Sequence, residues 1–329
     1  MDDSERQSCP RGAHRPLLRA VRDAARDGDP ATLALVLETQ GSTYVAAGAM
    51  ALFGARDGQV GWLSGGCLEP AIEAIANAAA DAGRIDWMEV DTRDDEDLLS
   101  GSALGCRGRL RLALLPLARL RGLDELLDDW LGGGAALDLD VRADGAMTCA
   151  VGTRTLRWTL PAATPAWAAQ EAWSLRVPAA PEVLVFGGGP ETPMLLPLLR
   201  DTGWRVTLAE RRPRWREQQR HADHHLDLTP RDAARVAACE AALVMHHNFE
   251  LDREALQALA ATATPFIGLL GPVRRREDLF RVLPEDDRAA LLPRLHSPIG
   301  LPLGGHGPQA IALSIAAQLQ AWLHGRDAM

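Results

Sequence analysis

Two cysteines are placed where a sulfur atom could do chemistry. Cys67 sits in Ser64-Gly65-Gly66-Cys67-Leu68-Glu69-Pro70, ahead of a stretch that reads as helix, and Cys106 sits in Ser102-Ala103-Leu104-Gly105-Cys106-Arg107-Gly108, ahead of an apolar strand. Small neighbours let a bulky planar ligand approach the sulfur and the backbone together. A free thiol with a pKa near 8.5 is only about 3% thiolate at pH 7, and a helix N-terminus or a cation that lowers it by ~2 units makes thiolate the majority form. The helix behind Cys67 and the arginines Arg107 and Arg109 beside Cys106 are of that kind, so both are candidates for catalysis and for holding a soft metal. Cysteine is otherwise a small buried hydrophobe. That is the expectation for Cys149 and Cys239, while Cys9 is expected in an N-terminal tail.

Glycine turns supply the second chemistry, the binding of anions by bare backbone amides. Gly65 and Gly66 expose N–H groups and Ser64 is placed to cap the following helix. Gly41-Ser42-Thr43, behind a buried strand, is either another phosphate-holding turn or an ordinary loop. Val183-Leu184-Val185-Phe186-Gly187-Gly188-Gly189 puts Gly187 and Gly189 at the end of an apolar strand, with Thr192 in the third glycine position, and Glu210 ends the next strand, where an acid can accept from a ribose diol. The same residues serve equally as a close-packed scaffold that binds no dinucleotide. Arg211 and Arg212 read as solvated or as phosphate contacts, and Arg274 to Arg276 as a solvated face first and an anion or partner surface second. His221, His224, His225, His246 and His247 lack HxH or HExxH spacing and read as core or solvent histidines.

These residues need elements to position them. A helix is expected over 14–28, strands over 31–39, 49–53, 59–63, 87–90 and 109–117, a helix over 120–131, and weaker strands to residue 160. The acidic run Asp91 to Gly101 reads as a mobile loop. Residues 161–181 are rich in Pro and Ala and read as a linker, and from Glu182 strands alternate regularly with helical segments, the rhythm of a parallel sheet. The fold class is α/β: a mixed α/β domain over 13–160 and a Rossmann-like parallel-sheet domain over 182–325.

Composition narrows the function. The chain has 329 residues, 47% hydrophobic and 24% charged, with a formal net charge of -9, which offers nucleic acid or an anionic membrane no attraction. No run is long and apolar enough for a membrane span and the N-terminus carries no apolar h-region, so a cytoplasmic protein is expected. The five cysteines form no CxxC pair. Every one of the 35 basic residues is arginine. A Walker A loop, a Schiff base and a pyridoxal phosphate anchor, which need lysine, are thereby excluded.

Taken in order, ETQGSTY (38–44), SGGCLE (64–69), LGCRGRL (104–110), VLVFGGG (183–189), ALVMHHN (241–248), FIGLLGPVRRR (266–276) and HSPIGLPLG (296–304) resemble the XdhC/CoxI family of molybdoenzyme maturation factors. The resemblance implies an XdhC/CoxI domain followed by a Rossmann-type domain, and a chaperone that binds molybdenum cofactor. It would protect the cofactor while a cysteine desulfurase supplies its terminal sulfur, and deliver it to a molybdenum hydroxylase apoenzyme. The family's cysteines fall on Cys67 and Cys106 and its strand-end histidine on His246, whereas the histidine after the glycine turn is Pro190 here. Such a protein is a carrier more than a turnover enzyme; the other readings are an NAD(P)-dependent oxidoreductase acting through Gly187, Gly189 and Glu210, and a scaffold that docks its partners without holding cofactor. A homodimer is compatible with each.

Overall fold

Residues 1–179 and 180–329 form separate units, and the computed structural model describes residues 7–56, 58–91, 108–165, 167 and 172–327 of the chain. The first unit runs β1 (Gln7–Ser8), α1 (Arg15–Asp27), β2 (Thr32–Gly41), β3 (Met50–Phe53), α2 (Glu69–Ala82), β4 (Asp86–Asp91), β5 (Gly108–Pro116), α3 (Leu123–Leu131), β6 (Leu137–Arg142), β7 (Ala146–Val151), β8 (Arg154–Thr159) and β9 (Ala172–Val177). Helix α1 opens with a proline in its first turn and stops at Gly28, whose φ of 71° takes the left-handed cap. Four antiparallel strands form one sheet, β3-β2-β5-β4, and a second sheet runs β1-β9-β6-β7-β8. The side chains of β2 alternate between two cores. Leu33, Leu35 and Leu37 join α1, α3 and the five-stranded sheet, while Ala34 and Val36 join α2, so the strand is apolar throughout rather than alternating.

Strand β9 falls inside the stretch expected to be a linker. Trp173, Leu175 and Val177 are buried at every second position, a period of two that the flanking alanines and prolines mask, and β9 pairs with both β1 and β6. Cys9 is likewise no tail residue. Its N–H donates to Arg176 O at 2.9 Å and its side chain lies in the core, where burial pushes the thiol up to about 12.

The second unit runs β10 (Glu182–Phe186), α4 (Thr192–Asp201), β11 (Arg205–Ala209), β12 (His224–Leu226), α5 (Pro230–Val236), β13 (Ala241–Val244), α6 (Phe249–Ala260), β14 (Phe266–Leu269), α7 (Val273–Val282), α8 (Glu285–Leu291), β15 (Leu295–His296) and α9 (Pro308–Asp327). All six strands are parallel, in the order β12-β11-β10-β13-β14-β15. Helices α4 and α9 cover one face and α5 to α8 the other, which is why the short strands read as unbroken apolar runs. The chain leaves β10 toward β11 on one side and returns to β13 on the other, so the order reverses between β10 and β13. In such sheets the crevice for a ligand lies beyond the carboxyl ends of the strands at that point. The Rossmann-type reading of this unit holds. Among the described residues no helix is long and apolar enough to cross a membrane.

Candidate functional site

In the first unit, pairing of β2 with β5 sets Glu38 opposite Arg111, Gln40 opposite Arg109 and Gly41 opposite Gly108, after a one-residue bulge between Val36 and Glu38. The turn Gly41-Ser42-Thr43 therefore leaves β2 against the residue that opens β5. A Cβ at Gly108 would lie 2.5 Å from Ser42 O and 2.5 Å from Thr43 Cγ2, so the contact admits only glycine. Cys106, two positions earlier, lies outside the described residues, as does Arg107. Beside this turn Arg111 binds Glu38 at 2.8 Å and Glu89 at 2.7 Å, and Trp173 Nε1 donates to Glu38 at 2.8 Å.

Cys67 is exposed, and the turn that presents it is organised by Glu69. The buried Glu69 carboxylate folds back to accept from Leu63 N–H at 3.1 Å, from Ser64 N–H at 2.8 Å and from the Ser64 hydroxyl. The Ser64 oxygen in turn accepts from Gly66 N–H at 3.2 Å and Leu68 N–H at 3.0 Å. Burial pushes the Glu69 carboxyl up, but the hydrogen bonds from the Ser64 hydroxyl and the turn amides outweigh it and hold it below its usual range. Ser64 thus orders the turn and does not cap α2, whose N-cap position is Leu68 with no capping side chain. Gly66 takes a φ of 101°, and nothing lies within 4 Å of where a Cβ on Gly65 would be. Among the described residues the N–H groups of Gly65 and Cys67 have no partner in the chain. Val45, beside the exposed Tyr44, and Leu68, beside Cys67, pack on one core cluster, so the two turns border the same core.

In the second unit Gly187, Gly188, Glu210 and His246 meet at the ends of β10, β11 and β13. A Cβ on Gly187, at φ 96°, would lie 2.5 Å from His246 Cα. Glu210 is buried and accepts from Gly188 N–H at 2.7 Å, and the Arg212 fork grips it with Nε at 3.0 Å and Nη2 at 2.6 Å. Arg212 also donates to His246 O at 2.8 Å and Gly188 O at 3.0 Å. His246 is buried, its Nδ1 3.1 Å from Asp252, whose other oxygen Arg275 holds. His247, at φ 54°, places Nε2 3.1 Å from the buried Glu191. That hydrogen bond raises the His247 pKa and lowers that of Glu191 against the pull of its burial. Among the described residues no group of three His, Cys, Asp or Glu side chains could hold a metal ion.

Comparison with known proteins matches both units in order. Residues 24–91 fit the model of the XdhC and CoxI family and residues 183–319 that of the XdhC Rossmann domain. The chain belongs to the XdhC and CoxI family. It is similar to a probable xanthine dehydrogenase subunit of Bacillus subtilis strain 168, 26% identical over 316 residues that span 89% of this chain and 93% of that protein. A solved structure described as a xanthine dehydrogenase from Bacillus halodurans superposes with a TM-score of 0.74 at 25% identity, covering 94% of this chain and 96% of the other. A 90-residue stretch is 37% identical to the protein YqeB of Escherichia coli K12, spanning 25% of this chain and 17% of that one.

Against the XdhC/CoxI expectation, the structure joins Gly41, Ser42 and Thr43 to the start of β5 and gathers Gly187, Glu210 and His246 at one corner. Arg212 and Arg275, read as solvated or ligand-binding, are internal partners of Glu210 and Asp252. Glu69, Glu191 and Asp252 are organising residues that sequence reasoning missed, and Arg212 is one whose role it misread. Glu69 and Asp252 carried a signal, each being an acid in the first turn of a helix.

Proposed function

We propose that this XdhC-family protein is a maturation factor for a molybdenum hydroxylase, holding molybdenum cofactor while its terminal sulfur is installed with a cysteine desulfurase and then passing it to a xanthine dehydrogenase-like apoenzyme. The observation that carries this reading is the Cys67 turn: an exposed thiol on a backbone whose Gly65 and Cys67 amides are uncommitted among the described residues. The donor set suits the cofactor. A thiol is a soft ligand, and two free amides beside a bare glycine suit its phosphate. When bound, the cofactor supplies a dithiolene-held molybdenum and its terminal sulfur. The chain's part is to present the Cys67 sulfur, to offer the amides of Gly65 and Cys67, and to keep the Glu69 charge turned inward on Ser64. Similarity across nearly the full length of the Bacillus subtilis protein supports a partner of the xanthine dehydrogenase kind.

The test is retention of molybdenum cofactor through gel filtration by wild type, Cys67→Ala and Cys106→Ala, followed by transfer to apo xanthine dehydrogenase. Retention is expected to fall in Cys67→Ala with the fold intact by circular dichroism. Equal retention in all three proteins removes the thiols from the mechanism.

A further inference from the structure

We infer that the glycine turn of the Rossmann-type unit holds no dinucleotide, and that Glu210, standing where such folds keep their ribose-binding acid, is one half of a clamp with Arg212 that ties the end of β10 to the end of β13. A dinucleotide site needs free amides at the turn, a bare backbone for the pyrophosphate to approach, and a carboxylate open to the ribose diol. Each of the three is already spent.

The amides of Gly187, Gly188, Gly189 and Thr192 are consumed one by one. Gly187 N–H donates to Ala209 O at 3.0 Å, Gly188 N–H to Glu210 at 2.7 Å, Gly189 N–H to Thr192 Oγ1 at 2.8 Å and Thr192 N–H to Gly189 O at 3.2 Å. Pro190 has no N–H to give. Thr192 stands at the third glycine position of the fingerprint, and its hydroxyl also donates to Gly189 O, closing the turn on itself. The bare face of Gly188 is covered, since a Cβ there would lie 2.9 Å from Trp215 Cβ. Glu191 adds a buried carboxylate at the same corner, 2.9 Å from a Cβ placed on Gly189, where a phosphate would meet like charge.

The carboxylate is the most committed group. Both Glu210 oxygens are engaged by the Arg212 side chain, one also by Gly188 N–H and the other by Arg212 N–H at 2.6 Å. Through its remaining contacts with Gly188 O and His246 O, Arg212 spans the switch point that a ligand would enter. Opening it would strand a buried charge and several buried donors at once.

Calorimetry with NAD+, NADH, NADP+ and NADPH, each carried to about 1 mM against the full chain, should give no saturable heat for wild type. Saturable binding of any of the four overturns the inference. The clamp is tested separately by thermal unfolding of Glu210→Gln, Arg212→Met and the double variant. Each single change should lower Tm, and the double variant should fall by clearly less than the two losses added. Additive losses would show that the residues do not act as a pair. Both measurements are independent of molybdenum cofactor, so their failure leaves the proposed carrier role untouched.

Discussion

Gly41 faces Gly108 across the β2–β5 pair, and this pairing brings the GST turn and the segment that follows Cys106 to one end of the four-stranded sheet. The closeness rests on a missing side chain. Gly108→Ala would push a methyl to 2.5 Å from both Ser42 O and Thr43 Cγ2, and backbone atoms cannot yield cheaply. We expect a loss of about 1–3 kcal/mol by denaturant unfolding. A neutral Gly108→Ala variant would mean that the turn relaxes freely and is not held by this contact.

Glu69 should matter through the donors it satisfies in the Cys67 turn. In Glu69→Ala the N–H groups of Leu63 and Ser64 lose their acceptor, and a buried donor left without one costs about 1–3 kcal/mol. The folded carboxyl is held below its usual value, so its contribution is present above about pH 4.5 and is lost as pH falls through the folded value. The stability gap between wild type and Glu69→Gln should therefore narrow below about pH 4. A gap independent of pH would remove the charge from the explanation.

How much of this was legible can be judged residue by residue. β10 announced itself as Val183 to Phe186 followed by glycines, because a strand buried on both faces must be an apolar run ended by a turn. β9 did not, since its alternation is six residues long and set among alanines and prolines. The partners of Glu210 and His246 were unreadable for another reason. Arg212 and Asp252 reach them through loop and helix-start geometry, which follows no sequence period. A glycine fingerprint states where a turn is, and the side chains that fill it decide whether a ligand can.

Thiol reactivity should separate the cysteines of the described residues. Burial pushes Cys9 and Cys149 up to about 12 and Cys239 up to about 11, leaving roughly a thousandth or less of each as thiolate at pH 8. Cys67 is exposed. Brief iodoacetamide treatment at pH 8, followed by peptide mapping, should label Cys67 and spare the other three until the protein is unfolded. Labelling of Cys149 at a similar rate would contradict its place in the core.

The Glu191–His247 pair predicts a pH window. The His247 pKa is raised above 6.5 and that of Glu191 lowered below 4.5. The histidine's contribution is complete below its unfolded pKa and fades as pH rises through the folded one, while the glutamate's fades as pH falls through its own. Wild type should exceed Glu191→Gln in stability most near pH 5–6, by about 1 kcal/mol or less because the imidazole is half exposed. By NMR titration the His247 pKa should fall back in Glu191→Gln; an unchanged value would dissolve the pair.

Arg294 carries the heaviest stability prediction because its guanidinium meets carbonyls alone. Nε donates to Ala290 O at 3.0 Å, Nη1 to Thr262 O and Thr264 O at 2.6 and 2.8 Å, and Nη2 to Leu259 O and Ala260 O at 3.0 and 3.1 Å. Leu259 and Ala260 end α6, where carbonyls lose their i+4 partners, and a cation there also meets the negative end of the helix dipole. Lysine has the charge but only three donors on one atom, so it cannot span carbonyls from two segments. Arg294→Ala should cost about 3 kcal/mol and Arg294→Lys at least half of that. With no carboxylate in the set, the loss should change little between low and high salt, whereas a strongly salt-dependent loss would place an ion pair where these five carbonyls are.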